Sequence, residues 1–335
     1  MAPLEWLKRA LAPLLVGREL IRLILQHPNA LLMCTTSRTY ANAPLHCAHP
    51  ALRGQQNLRF SGVDQFDASD VDLVFVAAEH GKGAIAIKTL LDNGYSGSII
   101  DMSSDFRFQD VSTFESLFQM EHPAPELIPH FSYGQPELFA PYSGSFIANP
   151  GCFATGMLLA IWPLHLNCDQ AQISITAITG ASGSGIRPKP TTHFPERDGN
   201  VRAYKVLEHQ HLPEITQFVK PTISLSMVPV SGPWTRGIWG TLQLRMSVNE
   251  HHIAQWFHDV YDDHGLIRLW PNALPELHYA VGSPYCDLGW VIKDDQIVIG
   301  FAIDNMLRGA ASQAIQNMNL LMDWPIDTGL IPPHP

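Results

Sequence analysis

Cys152 ends the run Phe146-Ile147-Ala148-Asn149-Pro150-Gly151-Cys152, and a stretch of helical character, Met157 to Leu166, follows it. An apolar, strand-like run that breaks at Asn-Pro-Gly is a sharp turn signal. The pattern therefore places the cysteine at or next to a helix N-terminus. There the unsatisfied N–H groups and the helix dipole favour a thiolate over a thiol. A thiolate at a strand-to-helix corner is exposed on one side and rigidly aimed, as a covalent nucleophile must be. The same pattern equally suits a small buried apolar residue. A second reactive run is Glu208-His209-Gln210-His211-Leu212-Pro213-Glu214. Its imidazoles can shuttle a proton near neutral pH. His-x-His is also a metal-ligand spacing, but the thiols that would complete a zinc site are isolated and distant in sequence, so no metal is expected.

Gly180-Ala181-Ser182-Gly183-Ser184-Gly185 holds three glycines and two serines in six residues. Such a backbone lets N–H groups approach a phosphate closely, or else forms a flexible surface loop. Other polar clusters are Ser103-Ser104-Asp105-Phe106-Arg107, Thr235-Arg236-Gly237 and Asp304-Asn305. Arginine suits planar recognition of phosphate or carboxylate, and it suits a structural ion pair equally well.

The elements that must position these groups alternate up to Cys152. Helical spacing runs from Gly17 to Gln26, then an apolar run from Ala30 to Thr36 ends in Ser37-Arg38. Asp72 to Ala78 and Ser98 to Met102 are apolar strands flanking a helix over Lys82 to Leu91. Helices alternating with fully apolar strands argue for a doubly wound parallel sheet. Beyond Cys152 the runs Gln172 to Ala177, Thr222 to Val230 and Ile238 to Met246 alternate or carry β-branched residues. Gln296 to Ile303 is a last strand, and Gly309 to Met322 is helical. The second part is therefore expected to be α+β, with a mixed or antiparallel sheet. The expected division is residues 1–151 with 304–335, and residues 152–303.

At 335 residues the chain exceeds what one hydrophobic core usually serves, which agrees with two domains. Lys and Arg number 21 against 31 Asp and Glu, for a net charge of −10, and no long basic run occurs, so nucleic acid is not an expected partner. Hydrophobic residues make up 46%, enough for a full core. The five cysteines are odd in number and not closely paired, which fits a reducing cytoplasm rather than a disulfide framework. No apolar run reaches the ~18 residues of a membrane span. The order of charges and leucines in Met1 to Arg18 is not that of a signal peptide.

Taken together, the motifs closely resemble those of the N-acetyl-γ-glutamyl-phosphate reductases, arginine-biosynthesis enzymes related to the aspartate-semialdehyde dehydrogenases. In order they are Gly17-Arg18-Glu19-Leu20, Ser37-Arg38, Ser103 to Arg107, Tyr133-Gly134-Gln135-Pro136-Glu137-Leu138 and Asn149 to Cys152. His193-Phe194-Pro195-Glu196, Ala203-Tyr204-Lys205 leading to His209-Gln210-His211, and Thr235-Arg236-Gly237 follow. Gly282 to Asp287 and the run Ile303-Asp304-Asn305 to Asn319 complete the set. The resemblance implies that Cys152 is the nucleophile that forms a thioacyl enzyme. It implies that His211 is the acid/base residue, with His209 as the alternative. For the cofactor, NADP(H), it implies Gly17, Ser37, Arg38, Ser182, Gly183 and Asn305. For the substrate it implies Arg107, Arg236 and Asn149. A homodimer or homotetramer is the expected assembly, in the cytoplasm.

One departure is serious. The resembled family opens with an apolar strand and a G-x-x-G-x-x-G turn, and the two earlier glycine positions fall here on Leu11 and Leu14. A leucine Cβ blocks close approach of backbone to a pyrophosphate. Residues 1–16 are thus atypical, and the Rossmann-like NADP domain is expected to lack its first strand. Either this segment is not the ancestral one, through a frameshift, mistaken start or replacement, or the chain has diverged toward an impaired homologue with defective NADPH binding. The abrupt return of the family pattern at Gly17 favours the former. The same chemistry on an aminoadipyl or aspartyl phosphate is a further alternative.

Overall fold

The computed structural model describes residues 15–37, 39–54, 58–62, 70–186 and 189–331. The chain divides into two compact units, Met1–Pro150 with Ala311–Pro335, and Gly151–Ala310.

The first unit is an α/β body. Its strands are β1 (Thr35–Thr36), β2 (Phe60–Ser61), β3 (Leu73–Val76), β4 (Ser98–Asp101), β5 (Phe131–Tyr133) and β6 (Phe146–Ala148). Four of them form an all-parallel sheet in the order β3-β4-β6-β5. Every residue of β3, Leu-Val-Phe-Val, is buried. Parallel strands are covered on both faces, which is why this run is continuous rather than alternating. β1 and β2 pair parallel in a separate two-stranded sheet. No described strand joins the two sheets; Leu11 and Leu14 precede the described residues.

Helix α1 (Leu15–Gln26) buries Leu20, Ile21, Leu23 and Ile24 and packs on the C-terminal helix Ser312–Leu321. Helix α2 (Lys82–Asp92) starts at Gly81, whose φ of 76° needs glycine. The buried Asp105 carboxylate accepts the N–H groups of Gly81 and Ala84 at 2.9 and 2.8 Å. Burial and the Asp105 charge push neighbouring Asp101 up to about 7, and Ser103 donates to it through N–H and hydroxyl. Helix α3 (Val111–Phe118) is capped by the Asp110 side chain on the Ser112 N–H. Ser103 to Asp105 thus serve the fold.

The C-terminal helix is unusual in burying Gln313, Gln316, Asn317 and Asn319 completely. Gln313 and Asn317 both donate to the Gly134 carbonyl, and Gln316 donates to Glu137. The Tyr133 to Leu138 and Gln313 to Asn319 motifs therefore clasp one another through satisfied buried amides.

The second unit begins with α4 (Cys152–Asn167), apolar on all sides and buried accordingly. Gly156 lets it lie against Phe301, since a Cβ there would sit 2.4 Å from that ring. Its strands are β7 (Ala171–Thr179), β8 (Arg202–Ala203), β9 (Ile223–Ser231), β10 (Ile238–Arg245), β11 (Ile267–Pro271), β12 (Cys286–Lys293) and β13 (Gln296–Ile303). They form one mixed sheet in the order β11-β12-β13-β10-β7-β9-β8. The pairs β11/β12 and β7/β9 are parallel and the others antiparallel. Helix α5 (His211–Thr216) packs on α4, as does α6 (Glu250–Tyr261), whose Tyr261 hydroxyl donates to the Leu159 carbonyl at 2.6 Å.

Candidate active site

Cys152 is the first residue of α4, partly exposed, with Gly151 as an extended N-cap that offers no side-chain cap. The first turn carries no acidic residue. Its N–H groups and dipole face whatever charge develops at the sulfur. The Phe153 ring lies 5.2 Å from His209 and 5.8 Å from His211, centroid to centroid, and the two imidazoles are 4.8 Å apart. Tyr204 adds an edge contact to His209 at 5.6 Å. Burial, and then the proximity of the Cys152 sulfur, push the Tyr204 hydroxyl well above its ordinary range.

Glu214 links the two halves of this cluster. It is 1% exposed. One carboxylate oxygen accepts the Gly151 N–H at 2.7 Å, and the other lies 3.9 Å from His211 Nε2. His211 and Glu214 share one face of α5 because they are three residues apart. The carboxylate thus holds the imidazole and the residue before Cys152 together.

His209 has a different role. Its Nδ1 accepts the His211 N–H at 3.3 Å, which leaves the ring proton on Nε2 when the imidazole is neutral. Burial, then the charges of His211 and Lys205, lower its pKa to about 3. A folded-state pKa below the free value of 6.5 contributes stability that is complete above pH 6.5 and is lost as pH falls from there toward 3. His209→Gln should therefore flatten the acid limb of the stability profile, read as urea midpoints between pH 7 and pH 4. An unchanged slope would refute the assignment.

The segment from Asp304 to Gly309 joins this cluster to a second one. Asp304, fully buried, accepts the Met306 and Leu307 N–H groups, the Gly282 N–H and the Arg236 guanidinium at 3.1 Å. Asn305 accepts the Gly237 N–H at 2.7 Å and donates to Ser182 Oγ at 3.0 Å. Residues Leu307–Ala311 form a π-turn, and the Gly309 N–H reaches the Asp304 carbonyl at 2.9 Å. Single π-turns often mark functional sites. A Cβ on Gly309 would lie 2.7 Å from Cys152 Cβ and 3.1 Å from its Cα.

In the 180–185 loop, Gly180, Ala181 and Ser182 each donate their N–H at 2.9 Å, to Gly237, Trp234 and Thr235. Gly183 and Gly185 donate within the loop. These N–H groups are committed to the fold, and the loop presents exposed Gly183 and Ser184 instead.

The other sequence-derived candidates lie in the first unit. Arg107 donates to the carbonyls of Asn149 and Met102 at 2.8 and 3.2 Å, and Asn149 accepts from Asn317. Gly17 is buried within α1, and Ser37 Oγ, at the end of β1, accepts the Tyr40 N–H. Arg38 lies outside the described residues. Among the described residues no group of three or more His, Cys, Asp or Glu is arranged to hold a metal ion, and no helix is long and apolar enough to cross a membrane. Sequence reasoning assigned no role to Glu214, Tyr204 or Gly309. Only Glu214 had a local signal, its three-residue spacing from His211.

An all-parallel α/β unit and a mixed-sheet unit that starts at a helix-borne cysteine define the semialdehyde dehydrogenase fold. Residues 15–142 match the family described as Semialdehyde dehydrogenase, NAD binding domain, and residues 152–305 match Semialdehyde dehydrogenase, dimerisation domain. Aspartate semialdehyde dehydrogenase II of Vibrio cholerae, in complex with ASA, superposes with a TM-score of 0.74 at 16% identity, covering 95% of this chain and 99% of that one. Aspartate semialdehyde dehydrogenase of Candida albicans with NADP gives a TM-score of 0.66 at 14% identity, covering 95% and 99%. N-acetyl-gamma-glutamyl-phosphate reductases of Halothermothrix orenii and Methanocaldococcus jannaschii are 36% and 35% identical, each over 94% of both chains. The chain belongs to the N-acetyl-γ-glutamyl-phosphate reductase family of oxidoreductases, and its first unit is of the nicotinamide-dinucleotide-binding type.

Proposed function

We propose that the protein reduces N-acetyl-γ-glutamyl phosphate to N-acetylglutamate 5-semialdehyde and phosphate, through a thioacyl intermediate on Cys152. The observation that carries this reading is the placement of Cys152 at the uncapped start of α4, tied through Gly151 and Glu214 to His211. Cys152 Sγ attacks the acyl carbon. The carbon–oxygen bond to phosphate breaks, and phosphate leaves with that electron pair. The Cys152 and Phe153 N–H groups at the start of α4 stabilise the oxyanion of each tetrahedral stage. When bound, the reduced nicotinamide supplies the hydride that the acyl carbon accepts. His211 protonates the resulting oxyanion and, as the carbon–sulfur bond breaks, takes the proton back. Neutral His209 positions His211 through its backbone N–H rather than exchanging protons itself.

The residues fit a dinucleotide in part. The first turn of α1 carries no acidic residue, so it is open to an anion, whereas the start of α2 is closed by Asp105. Ser37, with Arg38 after it, lies at the carboxyl end of β1, where a parallel sheet binds the ribose side, and Arg38 suits a 2′-phosphate, hence NADPH. The family resemblance adds Ser182, Gly183 and Asn305 to the cofactor-binding set. The pyrophosphate turn is the poor match, because Leu11 and Leu14 stand where the family has glycine. NADPH should consequently bind more weakly than micromolar. Titration of its fluorescence checks this, and a micromolar Kd would overturn it.

The fold's dimerisation domain supports a homodimer as the working assembly. The reaction itself is tested in reverse, by following NADP reduction with N-acetylglutamate semialdehyde and phosphate. Absence of turnover in well-folded protein at saturating NADP would refute the proposal in favour of an impaired homologue.

A further inference from the structure

A cavity of about 410 Å³ opens in the second unit, lined among others by His193, Glu196, Arg197, Asn200, Arg202 and Ser231. Arg197 forms its buried side, only 9% exposed. Its Nη1 donates to Ser231 Oγ at 2.6 Å and its Nη2 to the Gly232 and Thr179 carbonyls. Its Nε is buried and has no hydrogen-bond partner among the described residues. A buried guanidinium without a counter-charge is costly unless something supplies one. Burial and the nearby Arg202 both lower its pKa, so the second cation adds to the imbalance.

The cavity wall is linked to the reactive cluster through β8. Arg202 and Ala203 pair with Ser231 and Val230 across β8 and β9, and Tyr204 follows directly. Cys152, Arg197 and Arg202 all act electrostatically on the Tyr204 hydroxyl. Its ring meets His209, which meets Phe153. A ligand with an electrophilic carbon at Cys152 and an anionic group at its far end would span from the sulfur past Tyr204 to the two arginines.

We infer that this cavity is a carboxylate-recognition site, in which Arg197 and Arg202 hold the carboxylate that the substrate carries away from its reacting acyl carbon. Among the described residues, Glu196 is the one carboxylate lining the cavity. The inference rests on the reading of Cys152 as the nucleophile. It goes further by naming the two residues, Arg197 and Arg202, that select the carboxylate of that substrate.

The test uses the full chain without cofactor and reads alkylation of Cys152 by iodoacetamide. N-acetylglutamate is compared with 4-acetamidobutyrate, which lacks only the α-carboxylate, and with inorganic phosphate. N-acetylglutamate should protect the thiol at a concentration at least ~10-fold lower than 4-acetamidobutyrate, the factor expected for one charge-assisted contact. Arg202→Met, at an exposed position, should erase that difference. Arg197→Lys should weaken it. Equal protection by the two acids in the wild-type chain, or an undiminished difference in Arg202→Met, would overturn the inference. Phosphate that protects as well as N-acetylglutamate, and loses this in Arg202→Met, would reassign the cavity to phosphate and overturn it too. If reverse turnover persists while the discrimination is absent, the carboxylate site fails alone. If turnover survives loss of the thiol, the nucleophile reading fails first.

Discussion

Cys152→Ser should lower turnover in the reverse assay by about 10³-fold or more while leaving the urea unfolding midpoint where it was. The expectation comes from the two things the residue does and the one it does not do. A thiol ionises within reach of neutral pH and its thiolate is strongly nucleophilic. A serine hydroxyl at the same place keeps its proton unless a base removes it during the attack. In the proposed mechanism the start of α4 favours a negative charge on the sulfur, and Glu214 holds His211 and the Gly151 N–H beside it. Serine presents no such charge, and it makes a poorer leaving group when the product must be released. Packing, by contrast, barely changes. Cys152 is partly exposed, whereas Cys168 and Cys286 are buried and carry the ordinary packing role of a free cysteine. Measuring kcat and the unfolding midpoint on the same preparation separates the effects. Residual turnover within tenfold of wild type would mean that the acyl group is never carried on this sulfur.

The legibility of this chain was uneven for physical reasons. The strands of the first unit are buried on both faces, so β3 and β4 stood out as apolar runs, and β7, β9 and β10 stood out by alternation. The thiol was legible because Asn-Pro-Gly has few conformations open to it. β1 was not, since only Thr35–Thr36 of the apolar run Ala30 to Thr36 pairs, and pairing depends on a partner rather than on composition. The amides of Gln313 to Asn319 lie in a stretch read as helical, and nothing in their linear order shows that they are buried. Folded, they satisfy the carbonyl of Gly134 and the side chains of Gln135 and Glu137. For Arg236 the sequence left an anion site and an ion pair equally open, and its guanidinium lies 3.1 Å from Asp304. Glu214 and Gly309 were passed over because their importance lies in what they touch, and the residues they touch are far away along the chain.

Gly309 carries the second large effect. Gly309→Ala should reduce kcat by about 10²-fold with little change in KM, because a displacement near 1 Å at a reacting group is enough for a loss of that size. The added methyl would stand 2.7 Å from Cys152 Cβ and 3.1 Å from Cys152 Cα. Neither contact is with the mobile end of a side chain, so the strain must move backbone: either α4 shifts at its first residue or the π-turn opens. Both outcomes re-aim the sulfur relative to His211. The glycine is required by the close approach and not by its own conformation, since it is not among the residues of positive φ. Alanine would on propensity alone be favoured there by about 1 kcal/mol. A loss of activity with a nearly unchanged unfolding midpoint is therefore the expected signature of Gly309 as a positioning residue. The rate of Cys152 alkylation supplies a readout that general loosening would not move in the same direction. It should fall in Gly309→Ala, because the methyl covers the base of the thiol, whereas a loosened site would expose the thiol and raise it. Wild-type turnover in this variant would show that α4 and the π-turn yield to one another without disturbing Cys152.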